Sequence, residues 1–313
     1  MSDFWEDECN FDFDDKINEE IWRNSPTFQK EFGVDLSVGA QQAMIEEDDR
    51  NIVPFGVLPW VPDILGAKWK SSKSIHVVGE AYAPFISEYS QYGRKKTMTL
   101  SDYAEADLNK FQKVFLEKVV NNDQNYYEPI ARLVEDFIHP SQLSCFDLCR
   151  VSFVQRRYKN GRRSDKVSIS EKPELELYDK YVNQGSNWSW NRLDSSKTKI
   201  IIALGWRAEH GLLRLLKSKR MRILHTKDQT QPKFPAKWMN SYAHNNYQLG
   251  SWIKGGGSWW EAQENEGHGS IRFKILPVYH PSSYNRVNPR TGKKNDENYK
   301  GAKRTLKKII TQR

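Results

Sequence analysis

Four short apolar runs punctuate a chain that is otherwise rich in polar residues. Ile75 to Val78 is a short apolar run that stops at Gly79-Glu80, after which Ala81 to Phe85 leave through a proline-containing turn. Leu143 to Val151 is a second run, around Phe146 and Leu148. Ile200 to Leu204 is apolar at every position, as a strand covered on both faces must be. The last run, from Phe273, meets a turn at His280-Pro281-Ser282. Its Pro277 has no N–H to give to a ladder, which predicts an edge strand.

Helical spacing fills the intervals. Ser101 is suited to an N-cap, with Asp102 and Glu105 in the first turn, and Leu108, Phe111, Phe115 and Val119 follow on one face. Tyr127, Ile130, Val134 and Phe137 form a second face. Pro173 to Tyr181 and Ala208 to Leu216 read as helices, the latter ending in K-S-K-R, whereas Gln184 to Ser196 reads as a loop bearing Trp188 and Trp190. The uniformly apolar third run suits a buried strand within an open parallel sheet. Residues 218–270, polar and glycine-rich with Trp238, Trp252, Trp259 and Trp260, read as an insertion. Ile52 to Ile64 reads as an extended entry into a domain spanning 56–313, and residues 1–55 as an acidic extension.

Charge sharpens the picture. Residues 1–50 hold 15 acidic and 4 basic side chains, whereas the remainder holds 44 basic and 25 acidic. A body that basic points to a polyanionic partner. The densest cationic stretch is Gln155 to Lys166, a hairpin-like loop with Asn160-Gly161 at its tip, where Arg156, Arg157, Arg162 and Arg163 are suited to phosphate contacts. The tail from Arg286 to Arg313 is also basic, with Leu306, Ile309 and Ile310 as an apolar stripe. No apolar run approaches the ~20 residues of a membrane span, and the N-terminus lacks the features of a signal peptide. Three cysteines, Cys9, Cys145 and Cys149, make neither a disulfide framework nor a four-cysteine metal site. A cytoplasmic protein without a metal or cofactor is expected.

Two strand ends carry the chemistry. In an open parallel sheet, ligands gather beyond the carboxyl ends of the strands, which puts Glu80 at the mouth of a crevice. The G-E-A of residues 79–81 after an early strand, the H-P-S of residues 280–282 after a late one, and the strand K-I-I-I-A-L-G-W-R-A of residues 199–208 between them resemble the uracil-DNA glycosylase superfamily. A further H-P-S at residues 139–141 precedes a strand and reads as a turn at the opposite end of the sheet.

The resemblance implies a three-layer α/β/α sandwich with a central four-stranded parallel sheet of order 2-1-3-4. It also implies a monomeric enzyme that hydrolyses the N-glycosidic bond of a base flipped out of DNA. Glu80 then holds the water and opposes the cationic sugar, and His280 donates to the pyrimidine O2. Ser282, with Ser283, Asn285 and Arg286 beside it, meets the flanking phosphates, and Tyr284 takes the position of the family's intercalating leucine. No lysine occupies these motifs to form a Schiff base, so the expected enzyme is monofunctional and leaves an abasic site.

The chain departs from the family in three places. Tyr82 replaces a proline of the G-E-A-P-G subfamily, so the pocket wall, with Phe85, differs. That subfamily's iron–sulfur cysteines are missing, and no cluster is expected. Where uracil-removing members carry asparagine, this chain has Asp147. A carboxylate repels the O4 of uracil and accepts from the amino group of cytosine, which points to a cytosine-like base. Excising ordinary cytosine would be lethal, so the expected substrate carries an extra C5 group, as in hydroxymethylated or glucosylated phage DNA, in an antiviral role. Plain uracil removal and a non-catalytic DNA-binding module are the alternatives.

Overall fold

The computed structural model describes residues 52–56, 75–81, 127–139, 143–149, 152–155, 158–159, 162–163, 182–183, 186, 189–190, 193, 199–227, 229, 231, 258–264, 271–281 and 295–311. The strands are β1 (Ile52–Gly56), β2 (Ile75–Ala81), β3 (Leu143–Cys149), β4 (Ser152–Gln155), β5 (Tyr158–Lys159), β6 (Arg162–Arg163), β7 (Ile200–Leu204), β8 (Arg222–His225), β9 (Trp260–Gln263) and β10 (Ile271–Val278). Three helices are described: α1 (Tyr127–Val134), α2 (Trp206–Ser218) and α3 (Asn295–Thr311).

The protein is α/β, built on a mixed six-stranded sheet of order β3-β2-β7-β10-β9-β8. β7 is buried at all five positions, which is why its sequence is apolar throughout. It pairs in parallel with β2 on one side and β10 on the other, with Ile202 level with both Val77 and Leu276. β3 extends the parallel set beyond β2. β9 then runs antiparallel to β10, and β8 antiparallel to β9.

Several expectations are corrected by this sheet. It has six strands and mixed direction, because the ends of the expected insertion, β8 and β9, join it. Pro277 therefore lies on an interior strand. Lys274 donates its N–H to Lys199, and Val278 accepts from Gly205, so alternate residues of β10 face β7. Pro277, one position out of phase, faces β9, whose pairing ends at Ile275–Trp260. The missing donor sits just past the end of that neighbour and costs no ladder bond. β2 also runs on to Ala81 instead of stopping at Gly79, because its pairing with β3 continues through Gly79–Asp147 to Ala81–Cys149. Helical residues at 182, 183, 186, 189, 190 and 193 replace the loop expected there. Val182, Ser189 and Leu193 are buried at helical spacing, and Trp190 meets Phe273 edge-on at 6.4 Å. The serines, asparagines and glycine of the segment concealed that face.

Two smaller pairings complete the backbone. β1 pairs antiparallel with β4, so the boundary expected at residue 55 falls inside a paired strand. β5 and β6 pair Tyr158 with Arg163 and Lys159 with Arg162 across residues 160–161, the hairpin register expected from Asn-Gly. The helix expected from Ser101 and that over 173–181 lie outside the described residues.

α2 packs across β2, β3, β7, β8 and β10. Its Ala208, Leu212, Leu213, Leu215 and Leu216 are buried while Lys217 and Ser218 are exposed. α3 packs against β10 and α1, burying Tyr299, Ala302, Leu306 and Ile309. The tail's expected stripe is thus the docking face of a helix. Lys303 of α3 adds an ion pair to Asp136 at 2.7 Å, just beyond α1.

Leu212→Ala leaves a void between α2 and the sheet and should cost about 2–5 kcal/mol. Lys217→Ala, on the exposed last turn, should stay within about 0.5 kcal/mol. Urea midpoints at unchanged slope test both. Equal midpoints would mean that α2 does not cap the sheet as described.

Candidate active site

Strand order reverses between β2 and β7: the chain passes from β2 to β3 on one side and returns to add β7 on the other. Such a switch point leaves a crevice beyond the carboxyl ends of the strands. Gly79 and Glu80 lie at the end of β2, Asp147 near the end of β3, Gly205 just past β7, and His280 just past β10. Val78 is level with Ala203, and Ala203 with Pro277. Continuing that register puts Glu80 level with Gly205 and one step short of His280. Two strand spacings, roughly 10 Å, then separate the Glu80 and His280 backbones, with Gly205 between them.

Two glycines shape this edge. Gly79 is the register partner of Asp147. A Cβ at Gly79 would run into Oδ1 of Asp147, so this carboxylate occupies the space that any other residue at 79 would fill. Asp147 is 1% exposed, a buried acid at the mouth of the sheet. Gly205 has φ +88°, a backbone conformation that L side chains rarely adopt, and it caps the start of α2. A Cβ there would meet Cβ of His280 at 3.4 Å, an ordinary van der Waals contact, so the positive φ rather than lack of room calls for glycine. Its N–H donates to Val278 at 2.8 Å, holding the end of β10 against the end of β7.

His280 itself is half-buried. The turn that carries it is anchored from behind: the Tyr299 hydroxyl of α3 donates to the Tyr279 carbonyl at 2.6 Å. Sequence reading missed this anchor, because nothing in a basic tail marks one tyrosine as reaching back twenty residues. Arg162 and Arg163 lie on β6. Tyr82, Phe85, Arg156, Arg157, Ser282, Ser283, Tyr284, Asn285 and Arg286 lie outside the described residues. His139, of the other H-P-S, is exposed and precedes β3, at the opposite end of the sheet from His280.

A second buried polar group sits in the first turns of α2. Glu209 is 1% exposed, and its Oε1 accepts from Trp260 Nε1 at 2.7 Å, tying α2 to β9. Trp260 also packs on His225 at 4.9 Å, while Thr226 exchanges hydrogen bonds of 3.1 Å with the Trp259 backbone. Burial pushes the Glu209 carboxyl up from 4.5 to about 7, against the opposing pull of the Trp260 bond. Burial, and then the charge of Arg214, push the neighbouring His210 down from 6.5 to about 3.

No protein-family model matches the chain, and no curated protein matches it. Among the described residues, no group of three or more His, Cys, Asp or Glu side chains is placed to hold a metal ion. No described helix is long and apolar enough to cross a membrane.

The two shifted groups have opposite consequences for stability. Between pH 4.5 and 7, Glu209 is protonated when folded and ionised when unfolded, so stability falls as pH rises. Between pH 3 and 6.5, His210 is neutral when folded and protonated when unfolded, so stability falls as pH falls. The slopes oppose one another where the windows overlap. Glu209→Gln keeps an acceptor for Trp260 but cannot ionise, leaving the His210 slope unopposed. Its stability minus that of the wild type should climb between pH 4.5 and 7, reaching on the order of 3 kcal/mol or less. Thermal melts across this range measure the difference, and a flat difference curve would mean that Glu209 is ionised in the folded protein.

Proposed function

We propose that this protein is a monofunctional DNA glycosylase, a divergent relative of the uracil-DNA glycosylase superfamily, acting on a flipped-out cytosine that carries a C5 substituent. On this reading β3, β2, β7 and β10 are the family's 2-1-3-4 core, with β9 and β8 added beside it. The reading has one main support. The strand ends bearing G-E-A, Asp147, L-G and H-P-S come from four adjacent parallel strands and share one edge of the sheet. Cleavage places positive charge on the sugar and negative charge on the departing base. Glu80 supplies the anion for the first and orients the attacking water. His280 donates to O2 and meets the second. The water adds to the sugar carbon as the bond to the base nitrogen breaks, and the base leaves with the electron pair.

Base choice falls to Asp147. One carboxylate oxygen accepts from the cytosine N4 amino group; the other shares a proton with N3, which offsets charge on the leaving base. With uracil the first oxygen opposes O4 while the other accepts from N3–H, a mismatch of about 1–3 kcal/mol. The close fit of Asp147 over Gly79 supports this role, since it fixes the carboxylate at the edge of the crevice. A C5 substituent confines the activity to foreign DNA, in keeping with an antiviral enzyme working in the cytoplasm as a monomer. Trp238 and Trp252 of the stretch 218–270 are of a type suited to stacking on a sugar carried at C5, whereas Trp259 and Trp260 are buried.

Duplexes with cytosine, hydroxymethylcytosine, glucosylated cytosine or uracil at one position test the reading by alkali-labile strand breaks. Release of a modified cytosine is expected. Glu80→Gln should abolish turnover by orders of magnitude and leave DNA binding intact, and His280→Ala should lose about 100–1,000-fold. No release from any duplex, or wild-type rates in both variants, would overturn the assignment.

Asp147→Asn separates the bases. The single-turnover rate ratio, modified cytosine over uracil, should drop at least tenfold in the variant, since the amide matches uracil and not cytosine. An unmoved ratio would make Asp147 structural, and the cytosine reading would fall with it.

A further inference from the structure

α3 has two faces of opposite character. Tyr299, Ala302, Thr305, Leu306 and Ile309 are buried, with the helix packed against β10 and α1. At 100° per residue, the remaining arc carries Lys303, Lys307, Lys300, Arg304 and Lys308 in succession, and all but Lys303 are exposed. The helix's own acids, Asp296 and Glu297, precede this stripe in sequence. Lys303 is held at its border, 2.7 Å from Asp136 Oδ2 and 3.8 Å from Glu135 Oε1. Beside it, where the chain leaves α1, a groove of about 390 Å³ is lined by Lys303, Arg304, Lys307 and Thr311 over Phe137 and Ile310, with the acid in the lining, Asp136, already paired to Lys303.

The stripe has a fixed relation to the crevice. Tyr299, bonded to the carbonyl one residue before His280, stands immediately before Lys300. From Lys300 to Lys308 the helix advances about 12 Å, roughly the axial length of three to four phosphates on one strand of B-DNA. A small anion cannot engage cations spread over that distance, whereas a polyphosphate backbone can. An anionic membrane is the other extended polyanion, but an interfacial helix needs an apolar face to insert, and that of α3 is buried in the protein.

We infer that the outer face of α3 is a phosphate track, which takes the sugar–phosphate backbone of the DNA beside the nucleotide that enters the crevice. DNA as the ligand rests on the function proposed above. The groove at Lys303, Arg304 and Lys307 receives one of the phosphates, and the Tyr299 bond keeps the track in register with the His280 turn.

The test uses the full chain with Lys300, Arg304, Lys307 and Lys308 all changed to Gln, checked by an unaltered melting temperature. Fluorescence anisotropy with an unmodified duplex is followed across a salt series, beside wild type and a variant with Arg156, Arg157, Arg162 and Arg163 changed to Ala. The plot of log affinity against log salt should be shallower than wild type by roughly three, with at least a tenfold loss of affinity at low salt. An unchanged slope overturns the track, as does a wild type that does not bind duplex. So does loss of binding to phosphatidylserine vesicles with duplex affinity retained, which would make the stripe a membrane contact. Base release is scored separately. Binding through α3 without base release keeps the track and removes the glycosylase reading, whereas base release with an unchanged slope removes the track alone.

Discussion

β7 has no side to give to water. All five of its residues are buried, and each edge of its backbone is taken by a parallel neighbour. Parallel ladders of this kind must be covered on their faces, and α2, which leaves directly from Gly205, supplies one cover. Because the same five residues set the register of β2 and of β10, they also decide that Glu80 and His280 end at nearly one level. A slip of one residue on either side would turn every side chain of that neighbour to the other face. The candidate site thus inherits its geometry from hydrophobic burial a few residues away.

At the carboxyl edge, close packing replaces hydrophobicity as the governing constraint. Gly79 yields its side-chain volume to Asp147, whereas Gly205, at φ +88°, turns the chain from β7 into α2 beside His280. Both glycines stand at the ends of apolar runs, where a sequence reader sees only a turn. In the fold one is a spacer for the neighbouring strand's carboxylate and the other a backbone bend. The Tyr299 bond to Tyr279 works toward the same end from the other side, so the His280 turn is bounded by Gly205 on one side and fixed by α3 behind.

Glu209 ties a different pair of elements. Its bond to Trp260 spans 51 residues and attaches β9 to α2, next to the end of the tryptophan-bearing stretch. The cost of burying an ionisable carboxyl appears as its raised pKa, and the Trp260 bond, which favours the ionised form, offsets only part of it. His210, one residue on, compensates in the opposite direction across much of the same pH range. Between about pH 3 and 7 both buried side chains are uncharged in the folded protein.

Local pattern was enough to locate β2, β3, β7 and β10, the helices α1 and α2, the hairpin about residues 160–161 and the buried face of α3, because each depends on residues close in sequence. It also drew attention to Glu80, Asp147 and His280, as acids and a histidine at strand ends. The helical face at Val182, Ser189 and Leu193 was hidden by polar composition, and β8 and β9 by their place at the two ends of a glycine-rich stretch. Those elements exist through partners far along the chain: Phe273 for Trp190, β10 for β9, Glu209 for Trp260. Sequence alone determined the four strands β2, β3, β7 and β10 and which residue types stand at their ends. Only the tertiary structure decided that the sheet has six strands, that Pro277 falls where its neighbour has already ended, and that Gly79 makes room for Asp147. The physical reason is that periodicity records the face a residue turns inward, whereas register and close contact depend on what comes to meet it.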